Sequence, residues 1–447
     1  MKSKLNKILN IIFFTFSIIL FQACQPIQTR LSFDTNGGND IESITIKDIE
    51  ELYNLPVPER EGYLFMGWYL EDLFETRVEY SIFDFMMSQE QITIYAKWDT
   101  QAFTLTIFQY RDLFNTLFQT QDRIVDVALG EKHSLILTEK GRVFSWGSNQ
   151  YGQLGLLDIE DRRNPVESTL NFELNVDEKI IKIEAGWNHS SALTSHGRLL
   201  MWGRNDQGQL GDGTTNDKSI PIDVTKQLKL SPNESIESIA LGWGHSGVLT
   251  SNGRLLMWGR NESGQLGDGT TMKRLDPVDI TSGIIGFSDE TIQAVDLGSS
   301  HTGIITSSGR LLMWGRNVYG QLGDGTTQSK RSPTDITGNL TLSKDEKIET
   351  LSLGWGHSSI ATSNQQIFIW GFNQFGQLGN QSMIDSLTPQ NISSNYALFD
   401  RETIQQLTIR NGQSAFITSS QRMFIWGLNR YGQLGNNSQL NQDKPIN

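Results

Sequence analysis

The sequence predicts an all-β chain made of six copies of one small unit, and three observations predict it. Trp-Gly pairs at Trp146, Trp202, Trp258, Trp314, Trp370 and Trp426 are spaced by 56 residues every time. Gly-Gln-Leu-Gly follows each pair, at 152–155, 208–211, 264–267, 320–323, 376–379 and 432–435. Within each period, short apolar runs of strand length alternate with glycine turns. A fixed period of this size marks a repeat architecture, in which one unit cannot bury its apolar face alone and must stack on its neighbours.

Each unit reads as the same series of antiparallel strands. An apolar pair precedes a glycine, as in Ile239-Ala240-Leu241-Gly242. A strand opening on histidine follows, His245 to Thr250, and then a Ser-Asn-Gly hairpin turn at 251–253, where glycine supplies the positive φ. Arg254 to Trp258 comes next. Its run Leu255-Leu256-Met257-Trp258 is apolar without alternation, as in a strand covered on both faces. After Gly-Gln-Leu-Gly, a Pro-led strand closes the unit, at 221–225, 277–281 and 333–337. The last copy stops at Pro445-Ile446-Asn447, short of that full strand.

These motifs resemble the regulator of chromosome condensation repeat, over about 124–447 and in all six copies. The resemblance implies a β-propeller. That family usually has seven blades, so two outcomes are open. The ring closes with six blades, borrowing a strand such as 103–108, or it is an incomplete seven-bladed ring.

The region before the repeats divides into four segments. In residues 1–23, Lys2, Lys4 and Lys7 precede an apolar run from Ile8 to Phe21, the pattern of a secretory signal peptide and short for a membrane span. Ala23 stands before Cys24, the one cysteine of the chain. This resembles the bacterial lipoprotein signal, which implies lipid attachment at Cys24. An uncleaved anchor and a plainly secreted protein are the alternatives, and all three place the chain outside the cytoplasm. After a tether at 24–30, residues 31–98 open on Leu-Ser-Phe-Asp-Thr-Asn-Gly-Gly, continue through Gly62-Tyr63-Leu64-Phe65-Met66-Gly67-Trp68-Tyr69 and close on Ile92-Thr93-Ile94-Tyr95-Ala96-Lys97-Trp98. They resemble the internalin-type B-repeat, a small β-grasp-like spacer of bacterial surface proteins. Residues 99–123 form a connector.

The 447 residues carry a formal net charge of −13, and removing the three N-terminal lysines leaves about −16. That balance excludes nucleic acid as partner and excludes a polybasic membrane patch. One cysteine forms no internal disulfide and no cysteine metal site. No phosphate loop, nucleophile elbow or His-Glu-x-x-His is present. The Gly-Asp-Gly-Thr-Thr loops at 211–215, 267–271 and 323–327 lack the spaced acids of a calcium loop. No catalytic, cofactor-binding or metal-binding residue is assigned.

Five histidines recur at one point of the repeat, His133, His189, His245, His301 and His357, with Gln413 in the sixth copy. Equivalent points of a ring do not converge on a metal, so each is expected to hydrogen-bond backbone in its own or the next repeat, a role glutamine can share. Trp187, Trp243 and Trp355 stand between the repeat glycine and the histidine, where the first copy has Glu131 and the fourth Ser299. Such variation fits exposed turns on one rim and makes the three indoles candidate partner anchors. Arg204, Arg260 and Arg316, after Trp-Gly, are further candidates, against a locally paired arginine.

The expected function is therefore non-catalytic binding of a protein partner at the cell surface through rim loops. A secreted enzyme-inhibitor-type propeller is the alternative. The founding member of the family is a guanine-nucleotide exchange factor acting through an inserted wedge; no insertion interrupts the period here.

Overall fold

The computed structural model describes residues 29–36, 39–46, 63–69, 91–100, 122–284 and 290–447. The leader at 1–23, Cys24 and the strand expected at 103–108 lie outside them. The chain divides into two compact units, Met1–Thr116 and Leu117–Asn447.

In the first unit, β1 (Thr29–Asp34), β2 (Ile44–Ile46), β3 (Tyr63–Tyr69) and β4 (Gln91–Thr100) form one sheet in the order β2-β1-β4-β3. β1 runs parallel to β4, and the other two pairs are antiparallel. Leu31 is fully buried. The side chains of Trp68, Tyr69, Tyr95 and Trp98 lie outside the described set.

The second unit is a propeller of six four-stranded antiparallel blades, spanning 124–167, 180–223, 236–279, 292–335, 348–391 and 404–446. Blade 3 shows how each is made. Ile236–Leu241 pairs with His245–Thr250, which pairs with Leu255–Gly259, which pairs with Arg274–Asp279. The turn between the first two strands must be glycine: a Cβ on Gly242 would lie 2.4 Å from the His245 ring and 2.7 Å from the Gly298 carbonyl. At the opposite end, Gly253 takes φ +73°. There Glu234, just before the first strand, accepts Thr250 Oγ1 at 2.5 Å and the Arg254 guanidinium at 3.0 Å. The Asn of Trp-Gly-x-Asn organises the following loop. Asn261 Oδ1 accepts the Leu266 amide at 2.9 Å, and its Nδ2 donates to Asp268 at 3.0 Å.

Two expectations need correction at the outer strand. It begins three residues earlier than the Pro-led reading and ends before Thr281, which opens a short 3-10 turn. Proline is tolerated inside it because an outer strand has one unpaired edge for the missing N–H. The last copy also makes this strand, Gln442–Ile446, with Gln442 opposite Gly427 and Ile446 opposite Ile425.

Blades are joined at their faces by apolar cores and by one repeated polar lock. In blades 2 to 5 the third strand is buried on both faces, and Trp202, Trp258, Trp314, Trp370 and Trp426 are wholly inaccessible. Each of these indoles donates Nε1–H to the main-chain carbonyl of the Gly-Gln-Leu-Gly glutamine one blade back, at 2.8–3.0 Å: Gln153, Gln209, Gln265, Gln321 and Gln377. The same carbonyls accept a hydroxyl from Ser190, Ser246, Thr302, Ser358 and Ser414. Those hydroxyls in turn face Nε2 of the histidine in the preceding blade, at 2.9–3.3 Å. Because the hydroxyl proton is committed to the glutamine carbonyl, Nε2 carries the proton and donates. The histidine thus faces a side chain of the next blade, and His245, His301 and His357 also have that blade's backbone, at His301, His357 and Gln413, as a partner. Nδ1 of all five is a buried acceptor without a partner. Among the described residues the Gln413 side chain bonds within its own blade, donating to the Gln433 carbonyl at 3.5 Å.

Five apolar clusters fill the joints 1–2, 2–3, 3–4, 4–5 and 5–6. Among the described residues no such cluster joins blade 6 to blade 1.

Two predictions follow from the lock. Burial pushes the histidines down from about 6.5, to about 4 for His133 and His357 and about 3 for His189, His245 and His301. The unfolded chain therefore binds more protons as pH falls. Stability is expected to drop as pH falls from 6.5 to about 3. Glu290 and Glu402, held near 2 by Arg310 and Arg422, add their loss as pH falls from about 4.5 toward 2. Urea titrations at stepped pH should show His245→Gln with a shallower slope in that window. Secondly, Trp258→Phe is expected to cost about 1–2 kcal/mol by taking a donor from a buried carbonyl. Trp146→Phe should stay within about 0.5 kcal/mol, since Trp146 is half-buried and makes no such bond. Denaturant unfolding of the two variants measures the difference.

Candidate partner-binding rim

The turn between the first and second strands of every blade faces one mouth of the central channel. A recess there is lined from all six blades, by Glu131, Trp187, Trp243, Ser299, Trp355 and Asn411 among others. The fold places these turns by chaining them to one another. Glu131 N–H donates to the Trp187 carbonyl at 3.2 Å and Trp187 N–H to the Gly242 carbonyl at 3.2 Å; Ser299 N–H donates to the Gly354 carbonyl at 3.1 Å. Ser299 Oγ adds a bond to the Trp355 carbonyl at 2.5 Å.

The three candidate indoles are half-buried on this rim. Trp187 and Trp243 lie against each other, ring centroids 4.7 Å apart and tilted by 37°. The Arg260 guanidinium sits over the Trp243 ring at 4.3 Å and is neutralised by Glu262 at 2.6 Å. Arg204 lies over Tyr151 at 4.9 Å and pairs with Asp206 at 2.8 Å. Arg316 lies over Tyr319 at 5.6 Å and has no ion pair among the described residues. Two of the three arginines are thus locally paired. A second recess, between Trp243, Arg204, Arg260 and Gln207, shares Trp243 with the first.

Trp355 belongs to a different cluster on the same rim. Tyr319 packs on it at 5.5 Å and on Phe372 at 4.8 Å; Trp355 and Phe372 meet at 5.2 Å, and Phe375 closes the group. Sequence reasoning passed over Tyr151, Tyr319, Phe372 and Phe375. The signal was present. Phe372 occupies the place of the arginines after Trp-Gly, and the residue before Gly-Gln-Leu-Gly reaches the following blade. The structure therefore gathers the candidates into two aromatic groups, with Arg260 lying on the first and Arg316 on the second.

Inside the channel the structure brings together acids that no linear pattern flagged. Glu184 and Asp296 occupy the same place on the first strands of blades 2 and 4. Burial pushes the Glu184 carboxyl up to about 7, with Lys182 opposing and Asp296 reinforcing that shift. Burial also raises Asp296, against Arg410; its carboxylate accepts the Leu353 amide at 2.7 Å and the Leu297 amide at 2.9 Å. Among the described residues no group of three His, Cys, Asp or Glu side chains is placed to hold a metal ion.

Six blades of a Trp-Gly repeat, locked through a glutamine carbonyl and bearing an aromatic rim, define a repeat β-propeller. Residues 108–447 match the family described as the RCC1-like domain, and the chain belongs to that family. Residues 30–97 match the Listeria-Bacteroides repeat domain. The ultraviolet-B receptor UVR8 of Arabidopsis thaliana is 30% identical over 326 residues, which are 72% of this chain and 69% of that protein. The probable E3 ubiquitin-protein ligase HERC4 of Mus musculus is 35% identical over 48% of this chain, a stretch making up 20% of that protein. Among solved structures, human WBSCR16 superposes with a TM-score of 0.63 at 21% identity, covering 73% of this chain and 81% of that one. Prp20p from Saccharomyces cerevisiae superposes at 0.62 and 22%, covering 74% and 78%.

Because the rim indoles are half-buried and their ring contacts are with other rim side chains, Trp187→Ala, Trp243→Ala and Trp355→Ala are each expected to cost no more than about 1.5 kcal/mol. Denaturant unfolding checks this; a larger loss in any of them would make that indole a structural prop.

Proposed function

We propose that this chain is a non-catalytic binding protein that holds its propeller outside the cytoplasm and engages a protein partner through the aromatic rim. The observation that carries the reading is the pair of aromatic groups at one channel mouth, Trp187–Trp243 with Arg260 and Tyr319–Trp355–Phe372. Large rigid aromatics and arginine on a fixed scaffold are the side chains that dominate binding energy at protein interfaces. They stand on turns held in register by neighbouring blades, so little ordering cost remains on binding. Anchoring through Cys24, or through an uncleaved leader, is the proposed attachment, and the unit at 31–98 is the proposed spacer. A yeast protein of the same fold is described as binding Gsp1p and histones. For this chain, with a net charge of −13, the partner is neutral or basic at its contact face.

The experiment compares the full chain with a Trp187→Ala, Trp243→Ala, Trp355→Ala triple variant. Partners are captured on the parent, identified, and their affinities measured for both proteins. The parent is expected to bind at least tenfold more tightly than a variant of unchanged circular dichroism. Equal affinities would remove the rim from the account.

A further inference from the structure

The second recess of the rim lies in the joint between blades 2 and 3, at a place that two other joints fill with an aromatic ring. In joints 4–5 and 5–6 the ring rests on a glycine one residue before His357 or Gln413. A Cβ on Gly356 would lie 3.2 Å from the Tyr319 ring, and one on Gly412 would lie 3.1 Å from the Phe375 ring. Gly244 is the counterpart in blade 3, but Gln207 stands where Tyr319 and Phe375 stand. The nearest neighbours of a Cβ on Gly244 would be Arg260 at 3.5 Å and Gln207 at 3.7 Å, ordinary contact distances. Gly244 does not take a positive φ. Asn188 and Ser300 hold its place in blades 2 and 4. Neither crowding nor backbone conformation therefore calls for glycine here; its effect is to leave the floor of the recess open.

The walls correspond as well. Where Arg316, Tyr319, Trp355 and Phe372 meet in joint 4–5, joint 2–3 has Arg204, Gln207, Trp243 and Arg260, all lining the recess. Tyr319 packs on Trp355 at 5.5 Å and on Phe372 at 4.8 Å, with Arg316 over its ring at 5.6 Å. The recess holds about 200 Å³. That suits one ring, since a cavity of about 150 Å³ takes a benzene and drug-sized ligands need about 300 Å³ or more. Charge disfavours an anion: Arg204 is paired with Asp206 at 2.8 Å and Arg260 with Glu262 at 2.6 Å. Guanidinium groups and an indole are instead the surfaces on which an aromatic ring stacks. The carboxylates of Asp206 and Glu262 line the same recess and are acceptors for a phenol O–H.

We propose that this recess is a socket for one phenolic ring, presented as a tyrosine side chain by the protein partner. The incoming ring takes the place that Tyr319 holds in joint 4–5, against Trp243 and Arg260 and under the Arg204 guanidinium. Its hydroxyl donates to a carboxylate of the lining. The tyrosine as source rests on the rim being the partner-binding surface, whereas the affinity for a phenol does not. Because Trp243 belongs both to the socket and to the indole pair of the rim, a single contact face engages the two together. A ring buried in a fitted pocket beside arginine is the kind of contact that dominates binding energy at protein interfaces.

The test titrates the full chain with p-cresol, the tyrosine side chain as a free molecule. Nuclear magnetic resonance reads the Trp243 indole Nε1–H signal, assigned by its loss in Trp243→Phe. Cyclohexanol, a saturated ring with the same hydroxyl, is the control. A saturable shift is expected with a Kd on the order of 1 mM, and cyclohexanol should bind about tenfold more weakly. Gln207→Tyr supplies the ring from within, and Gly244→Asn fills the floor as Asn188 does in blade 2. Each should weaken p-cresol about tenfold while the signals of the sealed indoles stay in place. No saturable shift in the parent, equal binding of cyclohexanol, or unchanged binding in both filled variants would overturn the socket. The source is read separately, with the partner captured on the parent, whose affinity is expected to fall about tenfold for Gln207→Tyr. Unchanged affinity there, with loss in the triple tryptophan variant, would overturn the tyrosine and leave the rim reading standing. Equal affinity for the triple variant would remove the rim reading and the tyrosine with it, while p-cresol binding to the parent would still establish the socket.

Discussion

Everything in the propeller hangs on one main-chain carbonyl per joint. The glutamine of Gly-Gln-Leu-Gly turns its carbonyl into the next blade, where an indole N–H and a hydroxyl both donate to it. In a dry interface such a doubly satisfied acceptor fixes distance and rotation together, because any slip leaves buried polar groups without partners. The apolar clusters supply the larger favourable area, but area alone tolerates sliding. The lock sets the step from one blade to the next, and the histidine behind the hydroxyl stiffens it while remaining neutral.

The candidate site inherits its precision from that step. The rim turns begin three residues before the histidine, and in blades 1 to 4 the glycine that opens the turn is pressed against that ring and against the next blade's carbonyl. A rim indole therefore cannot move without disturbing a joint. Variation is concentrated in the two residues between that glycine and the histidine, the first of them being Glu131, Trp187, Trp243, Ser299, Trp355 and Asn411. The recognition chemistry of the rim is thus written at a few points on a frame that the lock holds constant.

Much of this was legible in the sequence. The period, the strand order within a unit and the doubly covered third strand follow from spacing and from runs such as Leu255-Leu256-Met257-Trp258, since burial on both faces removes the need for alternation. The role of the histidines as structural groups was also readable, but their partner was not. A hydroxyl 57 residues away is adjacent only because blades stack. The same limit hid Tyr319 and Phe372, which meet across a joint, and Glu184 and Asp296, which face one channel from blades two apart. The outer strand was misplaced because proline was taken as its start; the edge position that makes proline harmless is a property of the sheet, not of the local chain.

Five indole N–H groups sealed against glutamine carbonyls and a sixth left in the seam between blades 6 and 1 give the account a direct spectroscopic reading. Hydrogen–deuterium exchange of indole Nε1–H signals, resolved by nuclear magnetic resonance with each tryptophan assigned by substitution, measures it. The account predicts that Trp202, Trp258, Trp314, Trp370 and Trp426 exchange only with opening of a blade joint, while Trp146 exchanges orders of magnitude faster. A Trp146 as slow as the other five would contradict an open seam, and fast exchange at any of the five would contradict the carbonyl lock.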